Sequence, residues 1–183
     1  MPRALLALAA LALAGCSSFH SAEELRGAVS EGSVVLPVQA RGDESGPGRC
    51  GLACLGALLR FHGLDLDAEA RARFPALADK EGSIGAGEIR DYLRQRGLRA
   101  YLVHGTLDAS EPHGLLHVLA LELPAIVALH AGTQDHFVLA CGFEPERRWV
   151  FVLDPERGIG GVPFDDFDRR WAGADRLMLV AAR

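Results

Sequence analysis

The sequence predicts an α+β domain over residues 34–183. Two observations carry this. Apolar residues recur at helical spacing between residues 50 and 96, whereas residues 98–181 break into short strand-like runs, so helices cluster early and strands late. The chain shows no alternation of strand and helix and no internal repeat, which argues against a parallel βαβ sheet or a solenoid. Its 183 residues are 49% hydrophobic and 23% charged, which excludes intrinsic disorder. Twenty-one Gly and 4 Cys are too few for a collagen-like or disulfide-dense chain.

Taken in order, residues 1–15 come first and are set apart. They hold one charge, Arg3, then an apolar run and small residues up to Cys16. This is the layout of a secretory signal, and the run is too short to span a bilayer comfortably. Leu13-Ala14-Gly15-Cys16 resembles the lipobox of bacterial lipoproteins. The resemblance implies that residues 1–15 are removed and that Cys16 becomes the diacylated first residue, anchoring the chain to a membrane. Ser17 and Ser18 follow, with no Asp, which implies sorting to the outer membrane, facing the periplasm. The alternative is an ordinary cleaved signal with a coincidental Cys. Residues 16–33 are small, polar and charged and read as a tether.

Residues 34–38 form a short strand-like run, and a Gly/Pro/Asp loop covers 42–48. From Cys50 the pattern turns helical, with Leu55, Leu58, Leu59 and His62 in register and Gly63 at the stop. A second helix is expected from 68 to 74, ended by Pro75, and a third from about 87 to 96, stopped by Gly97. Strands are expected at 98–103, 125–129, 136–143, 149–154 and 177–181; residues 115–123 fit helix or strand.

The net charge is −5 and no basic stripe is present, so nucleic-acid binding has no support. There is no Gly-x-x-x-x-Gly-Lys-Ser/Thr run, and ATP is not expected. Neither Cys-x-x-Cys nor zinc-type Cys/His spacing occurs; no metal and no cofactor is expected.

The cysteines divide by setting. Cys141 lies in a strand run, where a small buried hydrophobe is the default. Cys50 follows a Gly/Pro loop at the first turn of a helix, where free N–H groups and the helix dipole favour thiolate. Cys54, one turn on, points toward the core; a Cys50–Cys54 disulfide has workable spacing but poor side-chain directions. A thiolate nucleophile needs a base, and the base an orienting group. The strands at 136–143 and 149–154 flank a turn at Glu144-Pro145-Glu146-Arg147. If they form a hairpin, His136 lies opposite Asp154 or Pro155, as an orienting carboxylate requires. A surface His–Asp pair is the plain alternative, and His130, ending a buried strand run, is the rival histidine.

Several segments then match one family in order and spacing: Cys50-Gly51-Leu52-Ala53-Cys54-Leu55 with Gly63; Leu123-Pro124-Ala125-Ile126-Val127; Asp135-His136-Phe137-Val138-Leu139; Asp154-Pro155 with Gly158; and Phe167-Asp168-Arg169-Arg170-Trp171-Ala172-Gly173. Together they resemble the bacteriocin-processing (double-glycine leader) cysteine peptidases over about residues 34–181. The resemblance implies a papain-like fold, with the nucleophile starting a central helix packed on an antiparallel sheet. It implies Cys50 as nucleophile, His136 as base then acid, and Asp154 as the orienting group. The reaction is hydrolysis through a thioester. Arg49 replaces the family's usual Asp, and a guanidinium there would favour thiolate. The family's oxyanion-hole Gln is expected about six residues before the nucleophile, where this chain has Glu44. Either an insertion lets Gln39 reach the site or the donor is missing.

The expected function is a lipid-tethered cysteine peptidase acting on exported peptides or proteins, with an export apparatus as a candidate partner. Two alternatives stand beside it: a non-catalytic peptide-binding lipoprotein with the same fold, and a related acyl-transfer or amidase activity.

Overall fold

The computed structural model describes residues 19–21, 29–44, 46, 48–132 and 134–183. The leader at 1–15, Cys16 and residues 22–28 of the expected tether lie outside the described residues. The elements are β1 (His20–Ser21), β2 (Val34–Val35), a 3-10 turn (Gly42–Glu44), α1 (Cys50–Phe61), α2 (Ala68–Glu81), α3 (Ala86–Gln95) and β3 (Arg99–His104). After them come α4 (Leu115–Ala120), β4 (Ala125–Ala131), β5 (Gln134–Glu144), β6 (Trp149–Asp154), β7 (Gly158–Pro163), α5 (Phe164–Ala172) and β8 (Leu177–Ala182).

The strands form one antiparallel sheet in the order β1-β7-β6-β5-β4-β8-β3. β2 joins β5 at Gly142 and Phe143, just past the stretch that β4 covers. Successive residues of β4, Ala125 through Leu129, are all buried, as are Val150 through Asp154 of β6. Burial at consecutive positions means that both faces of the central strands are covered, a pattern more usual for parallel sheets. On one face lies α1, whose residues Gly51 through Leu59 are buried without a break. A helix apolar all round belongs inside, and α1 packs on β5 with α3 alongside it.

The α+β architecture and the helix-first, strand-second order are as the sequence predicts. Four local expectations change. First, α2 runs through Pro75 to Glu81. Ala70, Phe74 and Ala78 are all buried at four-residue spacing, so the apolar stripe continues past the proline and tertiary packing holds the helix. Second, the 34–38 run pairs only at Val34 and Val35. Third, β7 and α5 add a strand and a helix beyond those the spacing predicts. β7 is glycine-rich, which masks strand character; α5 is signalled by Phe164, Phe167 and Trp171 on one buried face and by Asp165 and Asp166 in its first turn against Arg169 and Arg170 in its last. Fourth, parts of the expected tether are docked. β1 pairs with Gly160 and Gly161 of β7, His20 stacks on Trp149 at 5.0 Å, and Arg157 lies over the Phe19 ring. Ser30 bonds Glu144, which also accepts from the N–H of Glu146 at 3.1 Å.

Candidate active site

Cys50 opens α1, His136 is the third residue of β5, and Asp154 is the last residue of β6. Three elements distant in sequence thus deliver three side chains to one place. His136 Nε2 lies 3.1 Å from Asp154 Oδ1. That oxygen also accepts a 2.8 Å bond from the backbone N–H of Glu156, which fixes the carboxylate from its other side. Asp154 is 7% exposed, so little water competes for it. The same imidazole also interacts with the Cys50 thiol.

The electrostatics match the geometry. Burial works to raise the Cys50 thiol, but hydrogen bonds from His136 and the N–H of Phe137, the imidazole's charge, and the N–H of Gly51 outweigh it, and the thiol sits below its ordinary value. Burial works to lower His136, yet hydrogen bonds and charge from Asp154 and Cys50 push it up to about 9. Asp154 is held below the usual carboxylate range, since the bonds from His136 and the Glu156 N–H overcome its burial. Each shift favours a thiolate–imidazolium pair beside an ionised carboxylate.

The pair faces a cleft of about 410 Å³. One wall is Gly46, Gly48, Gly82, Ser83 and Gly85; the other is Gln134 through Phe137, with Glu156. At Gly51, an added Cβ would sit 2.8 Å from Ile84 Cγ1 and 3.3 Å from the Phe137 ring, so the helix start can lie this deep only because the residue after Cys50 has no side chain.

Gln39 does not reach Cys50. It lines a separate cavity with Pro37, Arg60 and Phe61, and its carbonyl accepts from the Arg60 guanidinium at 3.0 and 3.2 Å. Arg60 lies ten residues along α1 from Cys50, about 15 Å at a helical rise of roughly 1.5 Å per residue. Glu44 is equally remote: it is 2% exposed and locked in a two-pronged pair with Arg60 at 2.8 and 2.9 Å. Arg49 does not serve the thiolate either, because its guanidinium is drawn 3.1 Å from Asp79. Cys54 and Cys141 are buried free thiols, both pushed up by burial, Cys141 to about 12. His130 bonds Asp135 at 3.2 Å on an exposed edge, and His62 bonds the Ala181 carbonyl in the core. Sequence reasoning missed the wall contributed by Gly82 through Gly85; its only signal is the glycine pair flanking Ser83-Ile84 between two helices. No cluster of His, Cys, Asp and Glu able to hold a metal occurs among the described residues.

A family model described as Peptidase C39 family matches residues 44–182. Among solved structures, the chain is similar to a double glycine motif protease from an AMS/PCAT transporter, determined in complex with its leader peptide. The TM-score is 0.61 at 22% identity, covering 84% of this chain and 95% of that one. It is similar to the peptidase domain of Streptococcus ComA, a bi-functional ABC transporter involved in quorum sensing, with TM-score 0.56, 18% identity and coverage of 81% and 97%. A C39-like peptidase from Bacillus anthracis matches with TM-score 0.58, 14% identity and coverage of 84% and 98%. No curated protein sequence matches the chain significantly.

Proposed function

Because the chain belongs to the peptidase C39 family, we propose that it hydrolyses peptide bonds of exported peptides or proteins through Cys50, His136 and Asp154. The carrying observation is the His136–Asp154 contact at 3.1 Å on the ring that also bonds the Cys50 thiol.

In this reading the Cys50 thiolate attacks the scissile carbonyl carbon, and a C–S bond forms as the carbonyl electron pair moves to oxygen. His136 gives its proton to the departing amine, the C–N bond breaks, and a thioester remains. Water, deprotonated by the now neutral His136, attacks the thioester and releases the acid and the thiolate. Asp154 keeps the imidazole turned and stabilises its cation throughout. The peptide would lie between the glycine wall and the β5 wall. A lipid on Cys16 would hold the domain at the outer membrane, facing the periplasm, where exported peptides pass. Small residues such as Gly-Gly at the cut site suit a glycine-rich wall, and the leader peptide bound to the AMS/PCAT protease supports a peptide substrate.

One observation favours the second reading, a peptide-binding module without turnover: neither Gln39 nor position 44 presents a donor to Cys50. Alkylation separates the two. The peptidase reading expects Cys50 to react with iodoacetamide near pH 6, His136→Ala to slow that reaction about tenfold or more, and Cys50→Ala to abolish cleavage of a quenched Gly-Gly peptide. An unreactive Cys50 would leave the binding module.

A further inference from the structure

Acyl transfer at Cys50 needs a group that binds the oxygen of the scissile carbonyl as charge builds on it, and the upstream Gln and Glu both lie elsewhere. We propose that Ser83 is that group, its hydroxyl donating to the oxyanion together with the backbone N–H of Cys50. The inference rests on Cys50 being the nucleophile.

Two close contacts locate Ser83. A Cβ on Gly48 would collide with the Gly82 carbonyl oxygen and lie 3.9 Å from Ser83 N, and one on Gly51 would lie 2.8 Å from Ile84 Cγ1. Residues 82–84 therefore run alongside residues 48–51, with Ser83 between the two contacts. Ser83 also lines the cleft that holds the Cys50 thiol. The N–H of Cys50 belongs to the first turn of α1 and has no intrahelical acceptor.

Chemistry narrows the choice further. Among the cleft-lining residues only Ser83 and Gln134 carry a neutral side-chain hydrogen-bond donor, His136 being the base. Gln134 stands two residues before His136 in β5, on the same face and thus on the imidazole wall. An oxygen bound there would be on the side of the departing amine. Ser83 is exposed to the cleft, and its hydroxyl can turn toward an oxygen held by the Cys50 N–H, which requires donors roughly 3 Å from the oxyanion. As the C–S bond forms, the carbonyl π pair moves to that oxygen and is met by two N–H or O–H donors. As the C–N bond breaks, the pair returns to carbon and both donors are released unchanged.

The test uses the full-length protein and an internally quenched peptide with a Gly-Gly site, with the Cys50 alkylation rate as a second readout, since alkylation needs the thiolate but no oxyanion. Ser83→Ala should lower kcat about 10²-fold or more with KM and the alkylation rate unchanged, while Ser83→Thr keeps most of kcat. Gln39→Ala, at the far end of α1, should keep kcat within about threefold. Ser83→Ala at wild-type kcat overturns the inference and leaves the peptidase reading standing. So does a parallel fall in alkylation rate, which would mean a displaced Cys50, or a loss at Gln39→Ala or Gln134→Ala in its place. If the wild-type protein neither cleaves the peptide nor forms a hemithioacetal between Cys50 and a peptide aldehyde, the peptidase reading fails and the inference with it.

Discussion

His136 and Asp154 meet along a diagonal of the β5–β6 ladder. Leu139 faces Leu153, so continuing the antiparallel register sets Asp154 opposite Val138, two residues from His136 on the same face. A direct pairing of His136 with position 154 or 155, as the turn at 144–147 suggests, is off by one or two residues. The turn occupies residues 145–148, and the ladder shifts between Ala140 and Gly142. A diagonal neighbour lies roughly 7 Å away at Cα, still within reach of a ring and a carboxylate, and the 3.1 Å contact results.

Asp154→Asn removes the carboxylate that holds His136 up at about 9. A base raised in this way stays cationic until the pH passes its value, so the thiolate–imidazolium pair of the wild type spans the range from the lowered Cys50 value up to about 9. The kcat/KM profile should accordingly rise below the ordinary thiol range and fall near pH 9. In Asp154→Asn the falling limb should move toward the ordinary histidine value of about 6.5, and kcat/KM at pH 8 should drop about 10²–10⁴-fold. A profile with its upper limb unmoved would show that Asp154 does not set the imidazole.

The three described thiols should react very differently. Cys54 and Cys141 are buried and pushed up, while Cys50 is partly accessible and lowered. Brief iodoacetamide treatment of the native protein near pH 6, followed by peptide mapping, should place label on Cys50 and leave Cys54 and Cys141 unmodified. Denaturation before labelling should make all three react alike, because the differences belong to the fold.

Glu44 and Arg60 should matter for stability through their mutual burial. Their side chains are 3% and 11% exposed, and a Cβ on Gly56 would collide with the Glu44 carboxylate. Glu44→Ala leaves the Arg60 guanidinium largely buried without its main partner and should cost about 3 kcal/mol. Gly56→Ala should cost about 1–3 kcal/mol by overpacking. Both are read from urea midpoints, and losses under about 0.5 kcal/mol would mean the pair adds nothing.

His130 provides the control. It is bonded to Asp135 on the exposed rim, and neither its ring nor that bond touches Cys50. His130→Ala should keep kcat/KM within about twofold, against a loss of about 10³-fold or more for His136→Ala. A large effect at His130 would reassign the base.

The parts of this protein that were legible in the sequence are those written in local pattern. The span from Cys50 to Phe61 shows unbroken apolar spacing with a glycine stop, and 149–154 is a clean β-branched and aromatic run; both were placed to within a residue. The meeting of Cys50, His136 and Asp154 was legible because motif order and one hairpin together constrain it. What stayed hidden depends on contacts between distant segments. Pro75 reads as a helix end, yet Phe74 and Ala78 are buried together and carry α2 through it. Gly160 gives no strand signal, yet its bare backbone is what admits Phe19 and His20. Gln39 looked placed by the strand before it, but Arg60, 21 residues later, captures its carbonyl at the far end of α1.

The wall formed by Gly48 and Gly82 has a consequence for how a ligand is met. Both residues have positive φ, at 68° and 82°, and they touch main chain to main chain. The main chain of Gly48 and Gly82 has no rotamers to freeze when a peptide arrives, so that stretch of the wall adds little ordering entropy to association. Selection there would act on the outline of the incoming backbone rather than on its side-chain chemistry. A side chain at position 48 would strike the Gly82 carbonyl, whereas at position 82 only the left-handed backbone stands against one.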